Sequence, residues 1–153
     1  MFVLDQVYLG NSLTMWTVAF VSAVAIYTVL SVLRRTVGNR FKKMADSTDT
    51  DLDDFIADIV QVRTKKILFL ALAVYGSSLF LALPPDIERV LLGVVFFLLF
   101  LQVGLWGNGM INFLVTRKAA KDGEEGLNLE AYSVITWIAK AALWAIVVLL
   151  VLN

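Results

Sequence analysis

The chain has 153 residues, 59% of them hydrophobic and only 17% charged, with 13 basic residues balanced by 13 acidic ones. Its mean hydropathy is +0.81, too high for a water-soluble domain of this size. A net charge of zero leaves no electrostatic footprint for nucleic acid, and the absence of Cys and His removes disulfides, thiol chemistry and the common zinc, haem and iron–sulfur ligand sets.

Four apolar runs follow one another. Each approaches or exceeds the roughly 20 residues that cross a ~30 Å hydrocarbon core at ~1.5 Å per residue. They predict an all-α polytopic membrane protein in a single transmembrane domain, with spans at about 12–33, 65–83, 87–115 and 131–152. The connections at 34–64 and 116–130, with Lys65 and Lys66 at the very start of the second span, hold Arg34, Arg35, Arg40, Lys42, Lys43, Arg63, Arg117, Lys118 and Lys121, whereas the connection around Pro84-Pro85 holds only Arg89. The excess of basic residues in two connections predicts that these face the cytoplasm and that both termini lie outside. No basic residue precedes the first run, which argues against a secretory leader.

The N-terminal tail carries Phe2, Val3, Leu4, Val7 and Tyr8, suited to the outer interface, and Asn11 or Ser12 is placed to cap the first helix. Arg34 and Arg35 close the first span, and Gly38-Asn39 reads as a break. Arg34, Arg35, Lys42, Lys43, Arg117 and Lys118 are candidate anchors to the inner leaflet, where anionic headgroups attract each basic residue by about 1 kcal/mol.

In the first long connection Leu52, Phe55, Ile56, Ile59 and Val60 recur at helical spacing opposite Asp53, Asp54, Ala57, Asp58 and Gln61. Thr50 and Asp53 resemble a capping box. The pattern predicts an amphipathic helix from about Thr50 that runs through Lys65 and Lys66 into the second span. The segment reads equally as a simple solvated extension of the second helix or as one whose apolar stripe lies against the bilayer surface, a partner helix or another subunit. The acidic face favours protein over anionic lipid.

Pro84-Pro85 predicts a tight turn between the second and third spans. Counting from it puts Gly76 and Gly93 at similar depth, where small residues let backbones approach, with Ser77 and Ser78 placed to hydrogen-bond across the contact. In the third span Gln102, Gly104, Gly107, Asn108, Gly109 and Asn112 cluster, and Gly104, Asn108 and Asn112 share a face through their spacing of four. Amides in lipid need partners, so this face is expected to pack on protein rather than to line an ion path. Lys140 is the one formal charge well inside a span, and it is expected to snorkel to the cytoplasmic interface.

No set of nucleophile, acid and base converges at depth, and a Ser–Lys pair using Ser133 has no supporting feature. The residues therefore predict a non-enzyme with no cofactor, no metal site and no small-molecule substrate. The halves show no internal repeat of the transporter kind, and no run has the lengthwise small-residue stripe of a pore helix.

The stretch Gly126–Asn153, which reads GLNLEAYSVITWIAKAALWAIVVLLVLN, resembles the membrane helix just ahead of the pore helix in MscS-like mechanosensitive channels. The preceding three spans look like the variable outer helices of larger members. The resemblance implies a lipid-facing, tension-sensing region in a prokaryotic inner membrane, associated with membrane lipids and assembled as a homo-oligomer, a heptamer in the family. In that family a Gly/Ala-rich pore helix follows, so the chain is expected to lack the conducting segment, and none of the family's pore residues has a counterpart here. The other classes open on these residues are a self-contained four-helix membrane subunit and a small transporter or channel.

Overall fold

A computed structural model describes residues 7–45, 51–122 and 129–152. The described chain opens on two short antiparallel strands, β1 (Val7–Tyr8) and β2 (Asn11–Ser12), with Tyr8 opposite Asn11. Leu9 and Gly10 join them with φ of 53° and 80°, the left-handed pair that a two-residue hairpin needs to match strand twist. Ser12 then caps α1 (Leu13–Ala45), its Oγ accepting the Met15 N–H at 3.3 Å.

Helix α1 does not stop at Arg34–Arg35, nor does it break at Gly38-Asn39. It runs through both to Ala45. The reason for the glycine is packing: a Cβ at Gly38 would collide with the Gln61 side chain, whose Nε2 donates to Asn39 Oδ1 at 3.2 Å. This glycine admits a neighbour instead of ending a helix.

The amphipathic segment is helical as α2 (Asp51–Asp58), and Thr50 lies outside the described residues. It does not continue into the next apolar run. A π-helical turn, Ile59–Arg63, follows, and the backbone is then extended at Thr64 and Lys65 before α3 (Lys66–Ser78) begins. Thr64 closes the turn with both its N–H and its hydroxyl on the Ile59 carbonyl, at 3.0 and 2.9 Å. The apolar stripe is half-covered by the chain itself: Phe55, Ile56, Ile59 and Val60 are half-buried, α2 packs on α1, and Phe55 stacks on Phe113 with centroids 4.4 Å apart.

Helix α3 is also shorter than the 65–83 run. Its last turn tightens through Phe80 and Leu81 N–H bonds to Ser77 and Ser78, and residues 79–84 leave the helix. Two proline rings ahead disfavour helix at the preceding residues, and Asn11 takes the Ala82 N–H at 2.7 Å. Then α4 (Pro85–Asp122) starts with proline at its first position, the Pro84 carbonyl accepting from Ile87 and Glu88. It passes its Gly-rich stretch unbroken. Last is α5 (Leu129–Leu152).

Three helices are long and apolar enough to cross a membrane, over Leu13–Lys43, Pro85–Ala120 and Tyr132–Leu152, as in a multi-pass membrane protein; α3 is a shorter apolar helix of 13 residues. Helix α3 packs between α1 and α4, burying Leu68, Phe69 and Ala73, while α5 rests mainly on α4. The outward faces carry many large exposed apolar side chains, with Phe20 70%, Leu149 67% and Trp137 76% exposed. In water a surface of this kind would aggregate; in lipid it is the solvated face.

Candidate functional site

Breaking a helix beside apolar neighbours leaves carbonyls at one end and an amide at the next with no partner, and each costs about 1–3 kcal/mol if buried unpaired. Two neighbouring helices answer this cost with long polar side chains. From α1, Arg34 donates through Nε to the Val60 carbonyl at 3.0 Å and through Nη2 to the Gln61 carbonyl. A cation is also the favoured charge at a helix C-terminus. From α4, Gln102 accepts the Lys65 N–H at 2.8 Å and donates to the Arg63 carbonyl at 2.9 Å, so one amide bridges both edges of the break.

The rest of the node is built around these bonds. Trp106 Nε1 donates to Thr64 Oγ1 at 3.2 Å, and Arg63 pairs with Asp58 at 2.6 Å. The Arg63 stem lies over Gly109, where a Cβ would stand 2.8 Å from its Cδ. Gln102 is 2% exposed, and among the described residues no buried side-chain N or O atom lacks a partner. Side chains from two helices thus take the Val60, Gln61 and Arg63 carbonyls and the Lys65 N–H at the break, the kind of pairing that irregular backbone among membrane helices needs.

A second clamp holds the other end of the bundle. Asn11, fully buried, donates to the carbonyls of Leu9 and Ala82 and accepts the Ala82 N–H. It thus ties the N-terminal hairpin to the loop between α3 and α4.

Beside the break opens a cleft of about 560 Å³. One wall is a stripe on α1 at spacing four, Tyr27, Ser31, Arg35 and Asn39; the other is Gln61 and Lys66. Arg34 reaches the cleft too, although its guanidinium is engaged by the break.

The basic residues singled out from sequence divide by environment. Arg34 points inward to the π turn and serves the fold, whereas Arg35, Lys42 and Lys43 are exposed on the last turns of α1. Arg117 lies 6.0 Å over the Phe113 ring, and Lys118 is exposed. Lys140 shares a cavity of about 380 Å³ with Asn108, Trp137 and Trp144. By helix rise, Asn108 is about 34 Å along α4 from Pro85.

The small residues also separate. Gly104 and Gly107 seat α5: a Cβ at the first would stand 3.2 Å from Trp144 and 3.3 Å from Val147, and one at the second 2.9 Å from Leu143. Gly76 and Gly93 do not meet. A Cβ at Gly76 would stand 3.0 Å from Ile26 of α1, and one at Gly93 would meet nothing within 4 Å, because α3 leaves its helix before the proline turn and shifts the register. Ser77 and Ser78 bond the carbonyls of Val74 and Tyr75 in their own helix rather than reaching across. Asn112 is half-buried on α4. Helix α5 sits low on α4: Leu152 lines a cavity with Phe97, twelve residues in from Pro85, and Asn153 lies outside the described residues.

The bridging role of Gln102, the clamp at Asn11 and the parts of Thr64 and Trp106 do not emerge from the sequence reading. One signal was present for the cleft: four polar residues at exact helical spacing on an otherwise apolar helix. Comparison with protein-family models, with curated proteins and with solved structures gives no match for this chain.

Proposed function

We propose that this chain is the lipid-facing, tension-sensing membrane region of an MscS-like channel, in a prokaryotic inner membrane and assembled as a homo-oligomer. In this reading the basic end faces the cytoplasm, and α3 with the residues 79–84 that follow it forms a fourth crossing. Between the two clamps α4 runs from Pro85 to Gln102, about 26 Å, close to the ~30 Å hydrocarbon thickness. Lys140, level with Asn108, then reaches the inner interface.

The observation that carries the proposal is the double clamp. Asn11 on Ala82 at one end, and Arg34 with Gln102 on residues 60–65 at the other, tie α1, α3 and α4 into one body, while α5 rests on α4 over two glycines. Tension favours the conformation of larger in-plane area, and a rigid body with one separately seated helix supplies two such arrangements.

The chain has no native Cys, so introduced spin-label pairs report cleanly. Labels at Val21 and Ile146, both exposed, follow α1 against α5, and labels at Val21 and Val94 follow the clamped body. Adding lysophosphatidylcholine to one leaflet of proteoliposomes is expected to shift the first distance by several ångströms and leave the second unchanged. No shift in either distance overturns the proposal.

A second reading, a self-contained four-helix membrane subunit or small transporter or channel, is favoured by the pairing of every buried side-chain N and O atom among the described residues. Ion or solute flux through the chain alone in unstressed liposomes would select it.

A further inference from the structure

We infer that the cleft between α1 and the helix break binds the phosphodiester headgroup of an anionic phospholipid. This rests on the chain lying in a membrane with the break near one interface, and does not depend on the channel reading.

The first argument is charge. Arg35 and Lys66 line one concavity of about 560 Å³, no carboxylate lines it with them, and neither has a partner among the described residues. Arg34 adds a third positive charge at the floor, its donors already directed to backbone carbonyls. Helix α3 begins at Lys66, so the positive end of its dipole opens at the same place. Like charges gathered in a concavity raise the energy of the empty site, and an anion bridging Arg35 and Lys66 relieves it.

The second argument is shape. The α1 wall from Tyr27 to Asn39 extends about 18 Å along the helix, more than a free phosphate needs. Its Tyr27 end leads to exposed Val24, and Leu70, also exposed, stands one turn beyond Lys66 on the same face of α3. These supply an apolar track for acyl chains. At the opposite end, Gln61 donates to Asn39, which leaves the Asn39 amide N–H groups and the Gln61 amide oxygen for a hydroxylated headgroup. A zwitterionic headgroup would bring its own cation against Arg35 and Lys66, so the site selects a headgroup of net negative charge.

The test uses the full chain purified in detergent and titrated with phosphatidylglycerol, phosphatidylcholine or inorganic phosphate, with bound lipid read by native mass spectrometry. Each basic contact to a headgroup contributes about fivefold, so Arg35→Gln with Lys66→Gln is expected to weaken phosphatidylglycerol retention by about 25-fold. A control with Arg40→Gln and Arg89→Gln removes equal charge outside the cleft and is expected to retain the lipid. Phosphatidylcholine is expected to bind weakly to every form, and inorganic phosphate is expected not to displace phosphatidylglycerol. Should the cleft variant fail to fold, a photoactivatable phosphatidylglycerol on the wild-type chain must label peptides containing residues 27–39 or 61–66. Equal loss in the two double variants, no loss in the cleft variant, displacement by inorganic phosphate, or labelling elsewhere would overturn the inference.

Discussion

The side-chain amide of Gln102 stands across the break ahead of α3, accepting the Lys65 N–H at 2.8 Å while its own N–H reaches the Arg63 carbonyl at 2.9 Å. A single residue of α4 therefore replaces the two backbone bonds that a continuous helix would have made there. Because Gln102 is almost wholly buried, water cannot take over when it is removed. The loss is then set by two orphaned backbone groups rather than by the modest net value of two hydrogen bonds.

Gln102→Leu is accordingly expected to lower stability by about 2–4 kcal/mol, read from denaturant unfolding in micelles by circular dichroism. Gln102→Glu keeps the acceptor and loses the donor, so it should fall between the two. Wild-type stability in Gln102→Leu would mean that the break is not held from α4.

The adjacent arginines make a sharper contrast. Arg34 donates to two carbonyls of the π turn through a planar fork, which Lys cannot reproduce, so Arg34→Lys should raise amide exchange across residues 59–65. Arg35 is exposed and makes no bond within the described fold, so Arg35→Gln should leave exchange there unchanged. Equal effects from the two substitutions would contradict the division of roles.

Asn11 offers a test at the far end. Asn11→Ala removes three hydrogen bonds from a fully buried position, including both to Ala82. A cost of about 1–3 kcal/mol is expected, with faster exchange at Ala82, and with α2 and the π turn unaffected. If exchange accelerates throughout instead, the clamps are not separate.

Glycine substitutions separate packing from propensity. Gly93 faces open space in the middle of a helix, so Gly93→Ala should be neutral or stabilise by up to about 1 kcal/mol. At Gly104 a methyl group would press on the Trp144 ring at 3.2 Å, and Gly104→Ala should loosen α5 from α4, seen as weaker disulfide trapping between cysteines introduced on the two helices. The reverse ranking would show that α5 is seated elsewhere.

What could be read from sequence follows from which forces are local. Apolar runs, the proline at the start of α4 and the periodicity of α2 are carried by neighbouring residues, and they foretell the helices. The break at Thr64–Lys65 depends on Gln102, 37 positions away, and nothing near Lys65 announces it. Gly38 and Gly76 illustrate the same limit: a glycine reads equally as a helix end or as a seat for a neighbour, and only the side chains of Gln61 and Ile26 decide which. The stripe from Tyr27 to Asn39 was legible as a polar face, but its opposite wall comes from Gln61 and Lys66 beyond α2.

In the proposed topology the helix break and the proline turn lie on opposite sides of one bilayer, with α3 connecting them. Single cysteines at positions 35, 66 and 84 of the Cys-free chain, probed in sealed inverted membrane vesicles with an impermeant maleimide, measure this directly. Positions 35 and 66 should react from the cytoplasmic face and position 84 only after the vesicles are opened. Reaction of 66 and 84 from the same face would contradict the account.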